Sequence, residues 1–385
     1  MRSDWQVKKL SDIVEFNPTE RLPKGAIAKK ISMDMLQPFT KDIFQYELQP
    51  YNGGAKFRNG DTIMARITPC LENGKVSKVN ILTQGEVGFG STEYIVLRAI
   101  PNVSDPDFIY YLTISDLVRA PAIKSMVGSS GRQRVQQNVL ETLKLPLPPY
   151  DEQKKIAAIL SALDEKIAIN RAINDNLEQQ ASALFSSLYD RSNTEVRFTD
   201  LIQILGGGTP KTGENTYWNG NIAFFTPKDV GTPYTLITEK TITEEGLSHC
   251  NSRLYPVNTV FVTARGTVGK VGMSGVPMAM NQSCYALVGK ETHQLLVYFY
   301  TLKAVDRLKH KASGAVFDAI TTRDFESEQI MKLSDDDATA FLRVAEPLFQ
   351  EVLNNNIENL RLSTLRDSLL PKLMSGEIDV SAVQL

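Results

Sequence analysis

Residues 145–189 read LPLPPYDEQKKIAAILSALDEKIAINRAINDNLEQQASALFSSLY, and this stretch decides the fold. Three prolines at its start cannot lie in a helix interior, whereas Asp151 and Glu152, which follow them, suit a helix N-terminus. No proline or glycine interrupts the chain from there to Leu188. Apolar residues recur at alternating steps of four and three, the spacing of a coiled-coil seam. The stretch therefore predicts one long helix that needs a partner along its length.

A second stretch near the end of the chain repeats this pattern. When the first stretch is shifted by 185 residues, its two polar seam residues, Asn170 and Asn174, fall on Asn355 and Asn359. The matching interruptions predict that the helices pair with each other in antiparallel orientation, with asparagine opposite asparagine; the alternative is a merely solvated mid-section. The predicted seam residues are Leu163, Ile167, Asn170, Asn174, Leu177 and Leu184 in the first helix and Leu348, Val352, Asn355, Asn359, Leu362 and Leu369 in the second.

Prolines are expected to limit the second helix. Pro347 suits a first-turn position, so we expect the long second helix to begin there, after a shorter helix from Asp336. Pro371 should kink or end the helix, because proline lacks a main-chain donor and its ring clashes with the preceding turn.

The chain divides into four segments on this basis. Residues 1–145 and 193–333 are globular and mix short β-like runs with a helix, whereas residues 146–192 and 334–385 carry the long helices. The sequence therefore predicts an α+β fold in which two globular domains are separated by a long antiparallel two-helix coiled coil, with pseudo-twofold symmetry.

The two globular segments correspond to each other in the order of their features. Each has a strand that ends in Ala-Arg, at Ala65-Arg66 and Ala264-Arg265. Each also has a loop of small residues just before the next long helix, at 127–135 and 312–320. Their sequences otherwise differ, so we interpret them as a diverged architectural repeat.

Composition restricts the function classes. Among the 385 residues no run of eighteen apolar residues occurs, which excludes a membrane span, and three scattered cysteines favour a reducing cytoplasm. The net charge of −2 is unevenly distributed. Residues 1–145 carry 19 Lys and Arg against 15 Asp and Glu, and residues 195–333 carry 14 against 13, so the helical segments hold the acidic excess. A polyanion would therefore be bound through the globular segments.

Motifs for catalysis are missing. Asn17-Pro18-Thr19 begins like the NPP[FY] motif of adenine methyltransferases but lacks its second proline and aromatic residue. Residues 207–213 are glycine-rich, yet they lack the GK[ST] ending of a phosphate loop. His249 and Cys250 are adjacent potential metal ligands without a second pair at zinc spacing. The sequence predicts a non-catalytic chain without a metal site.

The spacer segments resemble those of the specificity subunit of type I restriction–modification systems. LPLPP at 145–149, followed by Glu152-Gln153 and Ile156, is similar to the central spacer of that family. LLPKL at 369–373 with SGEI at 375–378 resembles its C-terminal spacer. The resemblance covers essentially the whole chain.

The globular segments carry the resemblance further. GGTP at 207–210, followed by YWNG at 217–220, resembles the opening of many target recognition domains of the family. GRQRV at 131–135 resembles a loop late in such a domain. The second domain departs from the pattern at 314–318, which carries no arginine, and the first domain lacks the GGTP loop.

The resemblance implies a sequence-specific DNA-recognition subunit that has no catalytic activity of its own. Each target recognition domain would read one half of a bipartite, asymmetric target in double-stranded DNA. The helix pair would set the unread spacer and dock two methyltransferase subunits, and two restriction/translocase subunits would join for cleavage. S-adenosylmethionine, ATP and Mg would belong to those partners.

Polar and basic loop residues are the candidates for DNA contacts, because Lys and Arg bind phosphates while Arg, Gln and Asn also read base edges. The candidates are Arg66, Lys75, Arg132, Gln133, Arg134, Thr209, Lys211, Lys228, Arg265, Lys270, Asn281 and Gln282.

Two other functions fit the same features. One is a non-catalytic scaffold whose two heads bind protein or carbohydrate, which the mild charge allows. The other is the recognition subunit of a fused, type II-like restriction–modification enzyme.

Overall fold

The computed structural model describes residues 5–231, 233–311 and 319–383. The chain forms two compact units, one of residues 1–168 with 361–385 and the other of residues 169–360. Each unit combines a globular domain with one part of each long helix.

The globular part of the first unit contains three small sheets and three short helices among the described residues. The strands are β1 Gln6–Lys9, β2 Val14–Phe16, β3 Ile27–Ile31, β4 Glu47–Pro50, β5 Lys56–Phe57, β6 Thr62–Ala65, β7 Val76–Lys78, β8 Gly88–Gly90, β9 Tyr94–Ala99 and β10 Lys144–Leu147, and the helices are α1 Pro106–Ile114, α2 Asp116–Lys124 and α3 Gln137–Glu141. The sheets have the strand orders β2-β9-β6-β7, β4-β3-β8-β5 and β1-β10.

Helix α1 covers the β2-β9-β6-β7 sheet and supplies the aromatic part of its core. Asp105 caps the helix by accepting hydrogen bonds from the main-chain nitrogens of Asp107 and Phe108, and Pro106 occupies the first turn. Tyr110 and Tyr111, on the helix itself, are fully buried.

Two long helices follow the globular parts. Helix α4 is Tyr150–Asp190, and helix α9, near the end of the chain, is Asp335–Met374. Between them lie the strands β11 Thr194–Arg197, β12 Ile202–Gly206, β13 Trp218–Phe225, β14 Tyr234–Thr235, β15 Lys240–Ile242, β16 Val260–Thr263, β17 Val271–Ser274, β18 Met278–Met280, β19 Cys284–Gly289 and β20 Gln329–Lys332, and the helices α5 Phe198–Leu201, α6 Glu244–Ser248, α7 Gln294–Lys311 and α8 Thr322–Ser327.

The second unit repeats most of the topology of the first, with β14 added to its largest sheet and a single bridge, Tyr255 to Met278, where β5 pairs with β8 in the first unit. Its sheets have the orders β12-β19-β16-β17-β14, β15-β13-β18 and β11-β20. In the central pairings, Ala65 lies opposite Tyr94 in the first unit and Thr263 lies opposite Cys284 in the second. On the covering helices, the hydroxyls of Thr113 and Thr301 each donate to the carbonyl four residues earlier. One α+β domain fold is thus present twice.

The helices pair in antiparallel orientation within each unit. In the second unit the Asn170 amide donates to Asn359 Oδ1 at 3.0 Å, and the Asn355 amide donates to Asn174 Oδ1 at 2.9 Å. Asparagine therefore lies opposite asparagine, as the 185-residue shift predicts. Among the other predicted seam residues Ile167 and Val352 are buried, and the following are partly buried: Leu163, Leu177, Leu184, Leu348, Leu362 and Leu369.

The expectation that the long second helix begins at Pro347 is wrong, because helix α9 begins at Asp335 and runs through Pro347 without a break. Pro371 lies within the last turn, and the helix ends at Met374, which agrees with the expectation that this proline ends it. Phe341, Ala345 and Phe349 on either side of Pro347 pack into the core of the second unit. We attribute the continuity to this packing, which outweighs the loss of one main-chain hydrogen bond.

No helix within residues 5–231, 233–311 and 319–383 has the length and apolar character of a membrane span.

Candidate nucleic-acid interface

In the second unit, the GGTP loop is held against the turn between β18 and β19. The Thr209 hydroxyl donates to Gln282 Oε1, and the main-chain nitrogen of Gly208 donates to the carbonyl of Met280 at 3.0 Å. A side chain at position 207 would place its Cβ only 2.2 Å from the carbonyl oxygen of Asn281. Glycine is therefore required there, because the loop backbone packs directly on the turn.

Arg265 and Asn281 lie at the same edge of the sheet. The main-chain nitrogen of Arg265 donates to the carbonyl of Ser283 at 3.2 Å. The side-chain oxygen of Asn281 accepts a hydrogen bond from Ser283 N at 3.0 Å, which orients the side chain. The structure thus brings together Thr209, Arg265, Asn281 and Gln282; we call these four residues the second-unit loop cluster.

Three predicted lysines surround this cluster at different distances. Lys228 follows Pro227, whose carbonyl accepts a hydrogen bond from Thr267 in the turn after Arg265, so Lys228 borders the cluster. Its exposed amine lies 3.7 Å from Glu239. Lys211 is exposed, and its carbonyl accepts a hydrogen bond from Trp218 Nε1 at 3.1 Å. Lys270 instead lines a cavity against helix α7 and is the least connected to the cluster.

In the first unit, the GRQRV loop at 131–135 is tied to the turn before β9. Arg134 forms a bidentate ion pair with Glu93, with Nε 2.9 Å from Oε2 and Nη2 2.6 Å from Oε1. The hydrogen bond from Arg134 lowers the pKa of Glu93 below its ordinary value. This pairing orients the exposed guanidinium, whose remaining N–H donors stay available.

The neighbouring predicted residues differ in how exposed they are. Arg132 is exposed, and Gln133 is partly exposed while its carbonyl accepts a hydrogen bond from Thr68 N at 3.0 Å. Lys75 is partly buried and its amine donates to the carbonyl of Met33 at 2.7 Å. Its side chain is therefore engaged inside the domain.

Arg66 lies beside a cavity of about 420 Å³ that Asn17, Thr19 and Thr92 also line. The Nε atom of Arg66 is buried and has no hydrogen-bond partner among the described residues. Asn17 is committed to the fold, because its side chain accepts from Val96 N at 2.9 Å and donates to Gln137 at 2.7 Å. Asn17 of the Asn-Pro dipeptide thus follows the end of β2, and its side chain makes structural contacts.

Within residues 5–231, 233–311 and 319–383, no three His, Cys, Asp or Glu side chains gather in a way that could hold a metal ion. The predicted loop at 314–318 lies outside the described residues.

Comparison with known proteins assigns the family. The family described as "Type I restriction modification DNA specificity domain" matches residues 2–179 and 191–332. The chain belongs to this specificity family.

Similar members span nearly the whole chain. The type I restriction enzyme HindI specificity subunit of Haemophilus influenzae is 23% identical over 466 residues, covering 98% of this chain and 100% of that protein. The MjaIX specificity subunit of Methanocaldococcus jannaschii is 22% identical and covers 98% and 94%, respectively. The crystal structure of an S subunit from M. genitalium has the same fold, with a TM-score of 0.60 at 14% identity over 96% of each chain.

In this specificity-family chain, the dipeptides Ala65-Arg66 and Ala264-Arg265, which the sequence analysis matched with each other, are not at equivalent positions in the two domains. Arg66 N donates to the carbonyl of Glu93, and the equivalent donor in the second unit is Ala264 N, which bonds Ser283. The main-chain carbonyls of Arg66 and Ala264 accept, in turn, from Val135 and Ile320. The structural counterpart of Arg66 is therefore Ala264, and the matching Ala-Arg dipeptides are out of step by one residue.

Sequence reasoning missed Glu93 as a contact of the candidate residue Arg134 in this specificity-family chain. It is 41 residues away from Arg134, and no motif joins the two. A usable signal is positional, because Glu93 lies one residue before β9, in the turn that faces the candidate loops of the first unit. The equivalent position in the second unit is Ser283, one residue before β19.

Proposed function

We propose that the chain is the DNA-recognition subunit of a type I restriction–modification complex, in which each globular domain reads one half of a bipartite target. One observation carries the proposal: the same domain fold occurs twice, and equivalent loops present different polar side chains. The turn before β19 offers Asn281 and Gln282, where the equivalent turn before β9 has Ser91 and Thr92, and Arg265 stands where the first unit has Ile67. The first unit presents Arg132 and Arg134 on another loop. Equal scaffolds with unequal loops suit two different half-sites.

The helix pair is proposed to act as the spacer. The buried asparagine contacts between α4 and α9 allow one register, since a shift of either helix would leave buried amides unpaired. A fixed register gives a fixed separation of the half-sites, as in other proteins that read two half-sites.

Catalysis and its cofactors are proposed to lie in partners in the cytoplasm. Two methyltransferase subunits would dock on the helices, two restriction/translocase subunits would join them, and S-adenosylmethionine, ATP and Mg would be bound by those subunits. This chain would supply no reacting group.

A domain exchange tests the recognition proposal. Residues 1–145 are replaced by the corresponding domain of a relative, and methylated sites are mapped across the genome with the native partners present. One half of the methylated motif should change while the other half and the spacer stay the same. An unchanged motif in both halves refutes the proposal.

An insertion tests the spacer proposal separately. Adding matched helical turns to α4 and α9 should change the spacer and leave both half-sites alone. A changed half-site with an unchanged spacer would contradict it.

The alternative functions are distinguished by gene deletion and by co-purification. A scaffold that binds protein or carbohydrate would leave methylation unaffected when its gene is deleted. A subunit of a fused, type II-like enzyme would show the same motif effects but would co-purify with one chain that carries both methylation and cleavage.

A further inference from the structure

A buried polar network joins the first recognition domain to both helices. The Tyr111 hydroxyl donates to Asp164 Oδ2 at 2.6 Å, and Arg366 Nη1 donates to Asp164 Oδ1 at 2.6 Å. Tyr111 belongs to the domain, Asp164 to α4 and Arg366 to α9, and all three are at least nine-tenths buried. We call these residues the first junction triad.

Lys41 extends the network on the domain side. Its amine donates to the Ser161 hydroxyl on α4 at 2.8 Å and lies 2.7 Å from Asp107 Oδ1. Asp107 also accepts from Lys78 at 2.7 Å. Two of the hydrogen bonds between the domain and α4 therefore lie one helical turn apart and are shielded from water, in addition to those that Gln153 forms near the start of the helix.

At the three positions equivalent to the first junction triad, the second unit has apolar residues, and its polar contacts between domain and helices lie elsewhere, at His293–Glu346 and Lys303–Ser186. The 185-residue helix shift places Phe349 at the position of Asp164 and Ala181 at that of Arg366. The matching threonine bonds on α1 and α7 place Phe299 at the position of Tyr111. Phe299 and Phe349 pack edge to face at 5.5 Å, and Ala181 is buried in the same cluster. We call these three residues the second junction triad.

The difference has a geometric consequence. Aromatic rings in an apolar cluster tolerate small rotations, because packing has little directional preference. Charged hydrogen bonds are directional, and a small displacement would weaken the bonds that the buried Asp164 accepts from Tyr111 and Arg366, which is costly, whereas Arg366 would keep its contact with Asp367. The first domain is thus held at one angle on its helices by polar contacts.

We infer that the first junction triad consists of positioning residues, which fix the seating of the first recognition domain on the helix pair and thereby the spacer length at which its half-site is accepted. This inference rests on the proposed function. The triad would touch no DNA and would act through the domain it orients.

The test measures spacer tolerance with the full chain and its native partners. Tyr111→Phe removes only the hydroxyl and introduces the residue found at position 299. Its matched control is Tyr110→Phe, because the neighbouring Tyr110 hydroxyl is also buried but has no hydrogen-bond partner among the described residues. Methylation is then mapped at sites with the native half-sites and spacers one base pair longer or shorter.

The inference predicts that Tyr111→Phe raises methylation at the off-length sites by about tenfold relative to the native sites, the order expected for one lost buried hydrogen bond. Both half-site sequences stay unchanged, and Tyr110→Phe behaves as wild type. The triple change Tyr111→Phe, Asp164→Phe and Arg366→Ala installs the second junction triad, and it should remain as tolerant of the off-length sites as Tyr111→Phe, because the apolar cluster has no directional contacts.

Two results would overturn the inference. One is an unchanged spacer preference in Tyr111→Phe. The other is a uniform loss of methylation at all spacer lengths with a lowered melting temperature, which indicates a purely structural role. If the wild-type complex methylates no bipartite motif at all, the proposed function fails instead, so the two failures are distinguishable.

Discussion

The side-chain amide of Asn170 donates to the side-chain oxygen of Asn359 at 3.0 Å across the helix pair. Four residues along, Asn355 donates to Asn174 at 2.9 Å, and Asn174 donates to Asn356 at 3.0 Å. A ladder of amides therefore replaces leucine packing in the middle of the seam. Buried amides stabilise a coiled coil less than leucine does, but they exclude other registers.

The ladder predicts an unequal cost for two asparagine substitutions. Asn355→Ala should lower the free energy of unfolding by about 1–3 kcal/mol, because the buried Asn174 oxygen loses its donor. Asn354→Ala, at an exposed neighbouring position, should change it by less than about 0.5 kcal/mol. Chemical denaturation of both variants measures the difference. Equal effects would show that the hydrogen bond from Asn355 to Asn174 does not contribute to the free energy of unfolding.

Glu93 and Arg134 provide a titration prediction. The pKa of Glu93 is lowered by its hydrogen bond to Arg134, so the pair stabilises the fold above the ordinary pKa of a glutamate and loses that contribution as the pH falls through the lowered pKa. Arg134→Ala should return the pKa of Glu93 toward its ordinary value. Carboxyl chemical shifts followed by NMR against pH report it, and an unchanged pKa would contradict the pairing in solution.

Glu178 on α4 predicts a pH dependence of opposite sign. Burial, with a smaller contribution from Asp175, raises its pKa from 4.5 to about 7. The folded state therefore favours the protonated carboxyl. Its contribution to stability is full below pH 4.5 and is lost as the pH rises through 7.

Glu178→Gln should consequently flatten the decline of unfolding free energy over that pH range. Denaturant titrations at several pH values provide the measurement. Glu165→Gln, at an exposed position of the same helix, is the control. If both variants follow the wild-type curve, Glu178 titrates normally.

The second-unit loop cluster predicts a ranking of DNA contacts. Arg265→Ala should weaken recognition of the second half-site by about 1–3 kcal/mol if the guanidinium reads a base, and the first half-site should not change. Lys270→Ala should have a smaller effect, since Lys270 lies beside helix α7. Binding of the assembled complex to single-substitution DNA sites tests the order. A larger effect of Lys270→Ala than of Arg265→Ala would contradict the assignment of the DNA contacts to the second-unit loop cluster.

The helix pairing could be predicted from the sequence because its information is periodic. Seam spacing and the two asparagine interruptions recur after 185 residues, and a helix converts such a period directly into one face. Pro347 shows the limit of local rules. Its position suits a helix start, yet Phe341, Ala345 and Phe349 contribute tertiary packing that carries α9 through it.

The candidate interface could be predicted only as a set of loops, and its contact with DNA stays a prediction. Residue type identified Thr209, Arg265, Asn281 and Gln282, and the fold brings these four together. The sequence could not indicate that the amine of Lys75 is occupied by a main-chain carbonyl or that Arg134 is held by Glu93. Both contacts join residues distant in the chain, and neither follows from a motif.

The one-residue offset between Arg66 and Ala264 affects how recognition rules could be transferred between the halves. A table of base preferences indexed on the shared Ala-Arg dipeptide would compare side chains that leave the backbone in opposite directions, since neighbouring strand residues alternate faces. Residues of the two domains have to be matched by their main-chain hydrogen bonds, which make Glu93 equivalent to Ser283. In that register-based alignment, the role of Arg66 in the first domain does not predict the role of Arg265 in the second.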